Sequence, residues 1–303
     1  MTTLNQSISV NSYQVVSLGI AMTQTLIGSL ANGFMFSINL MDFASQRSLG
    51  SGDSLLLCLG LSRFILQWIL FTINLLSFWF TDLAVLYIPK IVFSFLFFSN
   101  TSLWFATFLC SFYCIKRNLT AGFLFFLLVS FAMSVIFSLP PVYVTFHRTG
   151  NWSIVKSSSP FLFVRANIPS FLTVSFLGSV LPFLIFCRVA ILVVVFLWKH
   201  VLKMKRQERT GFKEPSMQPY YSAVKALGYF FLFYSFYIVS FNLFISGIAT
   251  LNNWIGCFCT MLIGSYSSWH SVVLVLQNTK LQKALQKIRY YCCPVNQTVT
   301  DPT

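Results

Sequence analysis

Charged side chains are scarce in this chain, and their scarcity excludes an ordinary soluble fold. Only 9% of the residues are charged and only 6 are acidic, whereas soluble domains carry about 25% charged residues. Charge is missing altogether from five long stretches, 1–41, 91–115, 118–146, 166–187 and 226–279. A mostly apolar stretch of about 18 residues or more is long enough to cross ~30 Å of hydrocarbon as a helix. We therefore predict a membrane protein with several spanning helices.

Further absences narrow the function. The histidines His147, His200 and His270 lie in separate segments, and no cysteines are spaced as zinc ligands. We therefore expect no enzyme activity, no metal and no cofactor. No internal repeat is present, which makes a polytopic transporter the weaker alternative. The net charge of +14 lies in short clusters between apolar runs, so we expect a lipid bilayer and no nucleic acid as partner.

The apolar runs predict an all-α bundle of seven spanning helices, at 15–40, 54–80, 91–115, 121–144, 170–198, 222–248 and 254–277. The run 226–279 is too long for one crossing. Its polar residues Thr250, Asn252 and Asn253 are predicted to form a tight turn between two helices. Segment 279–290 has Leu and Ile on one helical face and Lys on another, which predicts a short amphipathic helix on the membrane surface. We expect the whole chain to form this single domain.

The basic residues between the runs predict the orientation of the bundle. More Lys and Arg fall in the loops on the side of the C-terminus than on the opposite side, which places the C-terminus in the cytosol and the N-terminus outside. Asn151 then lies in a long outer loop and is the predicted glycosylation site. Cys292 and Cys293 follow the amphipathic segment and are either palmitoylation sites or two unmodified cysteines. The predicted location is the plasma membrane.

Short motifs say more about function than topology does. In chain order they are Asn32-Gly33-Phe34, Leu55 to Trp68 with Arg63 inside, Trp104-Phe105-Ala106-Thr107, Leu197-Trp198-Lys199-His200, Ala223-Val224-Lys225 and His270-Ser271. In this order and spacing the chain resembles the type 2 bitter taste receptors over almost its whole length. Vomeronasal type 1 receptors are the alternative, and their motifs fit less well. The resemblance implies a receptor for small bitter compounds that activates a gustducin-type or inhibitory G protein.

The resemblance also implies where partners bind. A ligand is expected between the outer halves of the third, fifth, sixth and seventh spans. The corresponding positions are Phe95, Ser99, Asn100, Ser240, Phe241, Phe244, Cys257, Thr260 and Met261. Coupling to the G protein is expected at Lys116, Arg117, His200 and Lys203. Helix packing is the alternative role for the first set, and attraction to anionic lipid is the alternative role for the lysines.

Arg63 lies well inside the second span, where a guanidinium costs roughly 2.5–3.5 kcal/mol. It must face the bundle interior and find acceptors there. We expect Asn32 and Ser271 to be these acceptors, which matches the pattern of the resembled family. Arg63 is then either a structural clamp or a switch between inactive and active states, and we favour a clamp with a switching role.

Acidic residues are nearly absent from the predicted outer side, where Asp82 is the only one. A cationic ligand would therefore lack an embedded counter-ion. We predict neutral or anionic agonists, whose approach is favoured by the outer cations Lys90, Arg148, Lys156 and Arg165.

Overall fold

A computed structural model of the chain describes residues 12–46, 50–79, 81–114, 125, 127–139, 168–208 and 218–292. These described residues form helices and contain no strand. The helices are α1 Ser12–Gln46, α2 Ser51–Trp79, α3 Thr81–Cys114, α4 Leu127–Leu139, α5 Ile168–Glu208, α6 Gln218–Ile245, α7 Trp254–Gln277 and α8 Thr279–Cys292. Six of them are long and apolar enough to cross a membrane, and α4 is a shorter apolar helix. The predicted all-α bundle is confirmed.

Two helices extend ten residues beyond the predicted spans. Helix α3 begins at Thr81 instead of residue 91, and α5 continues to Glu208 instead of ending at 198. Their apolar segments, Lys90–Cys110 and Phe176–Lys199, nevertheless fall close to the predicted spans. A helix can continue past the hydrocarbon layer, because its charged side chains reach into water. The first charged residues therefore mark the edge of that layer and not the end of the helix.

A tight turn at residues 246–253 separates α6 from α7, where the polar residues predicted it. Gly247 has a φ of 77°, a left-handed conformation that suits glycine. The side-chain oxygen of Asn253 caps α7 by accepting from the backbone N–H of Gly256 at 2.7 Å and of Thr250 at 3.1 Å. A Cβ on Gly256 would lie 1.8 Å from the Thr250 carbonyl oxygen, so the turn requires glycine there.

Helices α3 and α7 form the centre of the bundle, and α5 lies at its edge. The spanning segment of α3 is 61% buried and that of α7 is 56% buried, against 17% for α5. Helix α1 packs against α2 and α7, while α6 packs against α5 and α7. Helix α3 contacts both α2 and α5, so it connects an α1–α2–α7 side of the bundle to an α5–α6 side.

Helix α8 is attached to the bundle through Lys280. Its Nζ lies 2.6 Å from Asp42 Oδ2 on α1 and 2.9 Å from Asp53 Oδ2 on α2, and it donates to Asn39 Oδ1 at 3.1 Å. Burial alone would lower the pKa of Lys280, but hydrogen bonds and charge from the two aspartates outweigh it and raise the pKa. The sequence pattern places Lys280 on one helical face with Lys283 and Lys287, and in the structure its ammonium group contacts α1 and α2.

Candidate functional site

Arg63 is fully buried and is held by two hydroxyls of α7. Its Nη1 donates to Ser271 Oγ at 3.1 Å and its Nη2 donates to Tyr266 Oη at 3.1 Å. The guanidinium carbon lies 4.8 Å from the centre of the Tyr266 ring, a favourable cation–π distance. The Tyr266 hydroxyl also lies 3.1 Å from Ser102 Oγ on α3. Arg63 and Tyr266 therefore connect α2, α7 and α3.

Asn32 does not bind Arg63, so that part of the prediction was wrong. Its Nδ2 donates to the carbonyls of Gly28 at 2.9 Å and Ser267 at 3.0 Å. Both Asn32 Oδ1 and Arg63 Nε are buried without a hydrogen-bond partner among the described residues. The Asn32 amide is held by the Ser267 carbonyl of α7, while the Nη atoms of Arg63 donate to Ser271 and Tyr266 instead. The same Ser267 carbonyl accepts from Ser271 Oγ at 2.8 Å, so Asn32 joins the network indirectly.

A cavity lies between α1, α2, α3, α6 and α7 at the end of the bundle opposite α8. Its empty space, including the part open to solvent, is about 520 Å³. No acidic side chain lines the described cavity. Its lining residues are Ala21, Gln24, Gln67, Leu70, Ile73, Asn74, Phe95, Phe241, Phe244, Leu251, Thr260, Ile263 and Gly264.

Four residues predicted to bind ligand line this cavity. They are Phe95 on α3, Phe241 and Phe244 on α6, and Thr260 on α7. The rings of Phe95 and Phe241 pack with their centres 5.6 Å apart, so α3 and α6 together form an aromatic wall.

The other predicted residues lie elsewhere in the bundle. Ser99 is hydrogen-bonded to the Tyr237 hydroxyl, and Asn100 and Ser240 are buried. Cys257 donates through Sγ to the backbone carbonyl of Tyr13 on α1 at 3.2 Å. Met261 is 37% exposed on the surface of the bundle, and only its backbone carbonyl reaches inward.

Three carboxamides of the cavity, Gln24, Gln67 and Asn74, were missed. They shift the cavity toward α1 and α2, away from the predicted position between the third, fifth, sixth and seventh spans. The signal was present in the sequence, because a polar side chain inside an apolar span is costly and marks a functional position. Like Arg63, these three amides lie inside spanning helices and must therefore face the bundle interior.

Aromatic packing dominates the α5–α6 side. The ring of Phe186 meets that of Phe230 edge-on, with centres 4.4 Å apart at 72°. Pro182 lies inside α5 and has no N–H, so the preceding turn loses a backbone hydrogen bond. The Tyr234 hydroxyl of α6 donates to the Ser179 carbonyl in this turn at 2.8 Å. This bond joins α5 to α6 beside the proline.

Several predicted sites lie outside the described residues, namely Lys116, Arg117, Asn151 and Cys293. His200 and Lys203 belong to α5 and Cys292 ends α8, but the side chains of these three are also outside the described part of the structure. Coupling, glycosylation and palmitoylation at these positions therefore stay predictions.

Seven apolar helices, a buried arginine–hydroxyl network and a cavity between the helices fit a membrane receptor of the G protein-coupled class. The sequence profile of the family described as Taste receptor protein (TAS2R) matches residues 10–292. The chain belongs to this family, and the resemblance to type 2 bitter taste receptors is confirmed. It is therefore a receptor and not an enzyme, and it acts in a membrane through ligand binding and a G protein.

Curated relatives agree with this assignment. Taste receptor type 2 member 39 of Macaca mulatta is 28% identical and the match covers 91% of this chain and 86% of that protein. Taste receptor type 2 member 119 of Mus musculus is 31% identical, with 90% of this chain and 84% of that protein covered. Taste receptor type 2 member 40 of Gallus gallus is 26% identical, with coverage of 90% and 94%. The match thus extends over nearly the whole receptor, which favours this family over vomeronasal type 1 receptors.

Proposed function

We propose that this chain is a bitter taste receptor of the plasma membrane that binds neutral or anionic small molecules in the described cavity. The ligand-bound state activates a gustducin-type or inhibitory G protein at the α8 end of the bundle. The observation that carries this proposal is the cavity itself, which has an aromatic wall and, among the described residues that line it, no acidic side chain.

The proposed orientation has the cavity facing the outside of the cell and α8 facing the cytosol. Basic residues support it, because Lys199, Lys225, Lys283 and Lys287 lie toward the α8 end, whereas Lys90 lies toward the cavity end. Cytosolic loops and helix ends carry the excess of Lys and Arg in membrane proteins. A ligand from outside would then reach the cavity without crossing the bilayer.

The charge of Arg63 supports the proposed choice of ligand. Its hydrogen-bond partners Ser271 and Tyr266 are neutral hydroxyls, so its positive charge is not cancelled locally. Gln67, which lines the cavity, lies one helical turn from Arg63, a spacing of about 5–6 Å between Cβ atoms. A protonated amine in the cavity would meet this positive charge and find no carboxylate. A carbonyl or an anionic group would be attracted instead.

Signalling follows from a difference in affinity between two arrangements of the helices. A ligand shifts the equilibrium only by as much as it prefers the active arrangement over the inactive one. In our proposal the active arrangement opens a cytosolic cleft between α3, α5 and α6. Helix α5 suits this role, because its spanning segment is the least buried of the six described, at 17%.

The experiment measures intracellular calcium in cells that express the full chain together with a chimeric G protein. A panel of neutral, anionic and protonated compounds is applied, and we expect responses to neutral or anionic members that disappear without the G protein. Activation by protonated amines alone would contradict the proposed ligand class. Responses that persist without the G protein, or flux of the compound itself, would contradict the receptor mechanism.

A charge substitution in the cavity sharpens this test. Thr260 lines the cavity and accepts from Ser17 Oγ at 3.2 Å. Thr260→Asp supplies the missing carboxylate, so we expect a gain of response to protonated amines. Thr260→Asn has nearly the same shape without the charge and is the matched control. An equal gain in both variants would show that charge does not select the ligand.

A further inference from the structure

An arginine of α5 is exposed in the middle of the membrane-spanning segment. Arg188 lies midway between Phe176 and Lys199, the two ends of the apolar segment of this helix. Its Cα is therefore about 17 Å along the helix from either end, close to the middle of a hydrocarbon layer that is about 30 Å thick. Its side chain forms no hydrogen bond or ion pair with the residues that the structure describes.

The direction of Arg188 follows from the face of α5 that packs against the bundle. Ser179, Pro182, Phe186 and Val193 are buried and recur at helical spacing. With 3.6 residues per turn, Arg188 lies about 160° around the helix axis from Phe186. The arginine side chain therefore leaves the helix on the side remote from the other helices, where lipid surrounds it.

Arg188 interrupts a row of apolar side chains on this outer face. We call this row the α5 stripe, and it consists of Leu181, Leu184, Arg188, Ile191, Val195 and Trp198, all of which are exposed. Its spacings alternate between three and four residues, which is the period of a left-handed pair of helices. Contact with lipid tails requires only apolar residues, whereas a single polar residue in such a row selects a partner and fixes its register.

The guanidinium of Arg188 requires a counter-charge at its own depth. Arginine stays protonated, so it cannot avoid the cost of burial in hydrocarbon by losing its charge. The distance of about 17 Å to the membrane surface is longer than its side chain, so the guanidinium does not reach the head groups by extending along the helix. Ionisable groups inside membranes pair with one another. A carboxylate fits best, because it accepts two parallel hydrogen bonds from a guanidinium.

The receptor has no carboxylate of its own at this depth. Asp42 and Asp53 are the only acidic residues in the six described spanning segments, and both lie at a segment end, where they bind Lys280. A second copy of the chain does not supply the counter-charge either. Two copies paired through their α5 stripes would bring two Arg188 side chains to the same depth, and like charges at an interface repel strongly.

We propose that the α5 stripe is a docking surface for another membrane protein whose spanning helix carries a carboxylate near its middle. The apolar side chains of the partner helix pack against Leu184 and Ile191, and its Asp or Glu accepts hydrogen bonds from Arg188. This surface lies outside the bundle. It does not depend on the ligand cavity or on the proposed signalling.

Synthetic spanning peptides test this docking surface on the full chain. The purified receptor carries a fluorescent donor in phosphatidylcholine vesicles, together with a dilute acceptor-labelled polyleucine peptide that has Glu, Gln, Leu or Lys at its centre. We expect energy transfer to show the tightest binding for the Glu peptide and the weakest for the Lys peptide. The Glu peptide should bind roughly three- to thirtyfold more tightly than the Leu peptide. Equal binding of the four peptides would overturn the proposal.

Charge reversal at Arg188 assigns the preference to this residue. Arg188→Glu is expected to prefer the Lys peptide over the Glu peptide, and Arg188→Leu is expected to bind the Glu and Leu peptides equally. Lys199→Leu is the matched control, because Lys199 is an exposed cation of the same helix at the end of the spanning segment. It should behave like the unmodified receptor. A preference for the Glu peptide that survives in Arg188→Leu would overturn the proposal.

Two further measurements distinguish other occupants of the α5 stripe. Enrichment of spin-labelled phosphatidylserine around the receptor, if it is lost in Arg188→Leu, would assign the guanidinium to a lipid head group. Energy transfer between two labelled receptors, if it is lost in the same variant, would assign the stripe to a second copy. Either result would overturn the proposal. Neither result alters the calcium responses expected of the proposed function, so the two proposals fail separately.

Discussion

The two sides of this bundle hold their helices together by different forces. On the α1–α2–α7 side, Gln24, Asn32 and Arg63 donate hydrogen bonds to α7. On the α5–α6 side, aromatic rings fill the contact and the Tyr234–Ser179 hydrogen bond joins the two helices. Hydrogen bonds are directional and favour one register of two helices, whereas ring contacts gain most of their energy from apolar burial. We infer that the α1–α2–α7 side resists helix displacement more than the α5–α6 side does.

Arginine substitution gives the largest expected difference between the two sides. Arg63→Ala removes two hydrogen bonds from a charged group, each contributing about 1.5–3 kcal/mol, and we expect both surface expression and calcium signalling to fall severalfold. Arg188→Ala is the control, because Arg188 on α5 is exposed and forms no hydrogen bond or ion pair with the described residues. Normal expression and signalling of Arg63→Ala would rule out a central role for the arginine network.

The second-largest effect is expected when one methyl group is added on the α1–α2–α7 side. A Cβ in Gly264→Ala would lie 1.8 Å from Gln24 Oε1, so the carboxamide must leave its place, at a cost of about 1–3 kcal/mol. Gly19→Ala on α1 is the control, since nothing lies within 4 Å of its Cβ. We expect a lower melting temperature in nanodiscs for the first variant only. Equal melting temperatures would mean that the seam between α1 and α7 is loosely packed.

The α5–α6 side should respond less to loss of its hydrogen bond. Tyr234→Phe keeps the ring contacts and removes the bond to the Ser179 carbonyl, so we expect a loss of about 0.5–1.5 kcal/mol in stability. Tyr221→Phe, an exposed tyrosine of the same helix, serves as the control. Thermal melting measures the difference. A loss as large as that of Arg63→Ala would contradict the contrast between the two sides.

The smallest effect is expected at Lys280, which is about one-third exposed and screened by solvent. Lys280→Met should release α8 with a cost of roughly 0.5 kcal/mol, and Lys287→Met on the exposed face should not. The raised pKa adds a pH test: attachment is complete below the ordinary pKa of 10.5 and is lost as pH rises through the higher value in the folded protein. Electron paramagnetic resonance distances between labels at Ser45 and Gln286 follow the release. An unchanged distance in Lys280→Met would show that the ion pairs do not hold α8.

The helices were predictable from sequence because charge and turn chemistry determine them locally. Helix α7 runs from Trp254 to Gln277 as predicted, since Asn253 provides an N-cap directly after the polar turn. The resemblance of motifs around Asn32, Arg63 and Ser271 was sufficient to identify the family. These signals are short-range and do not depend on how helices rotate against each other.

The cavity was less predictable because apolar helices give little information about which face points inward. Ser240 and Met261 were expected to face a ligand, but Ser240 is buried and Met261 lies on the surface. In a spanning helix both the lipid face and the packed face are apolar, so the pattern does not fix the rotation of the helix. A polar side chain such as Gln24 or Gln67 does fix the rotation, because it must face the bundle interior. Its hydrogen-bond partner can be assigned once the fold is known.

The attachment of Lys280 determines where α8 begins. Because Asp42 of α1 and Asp53 of α2 both contact its ammonium group, the first turn of α8 lies beside the ends of these two helices. Any movement of α8 away from the bundle would have to separate both ion pairs.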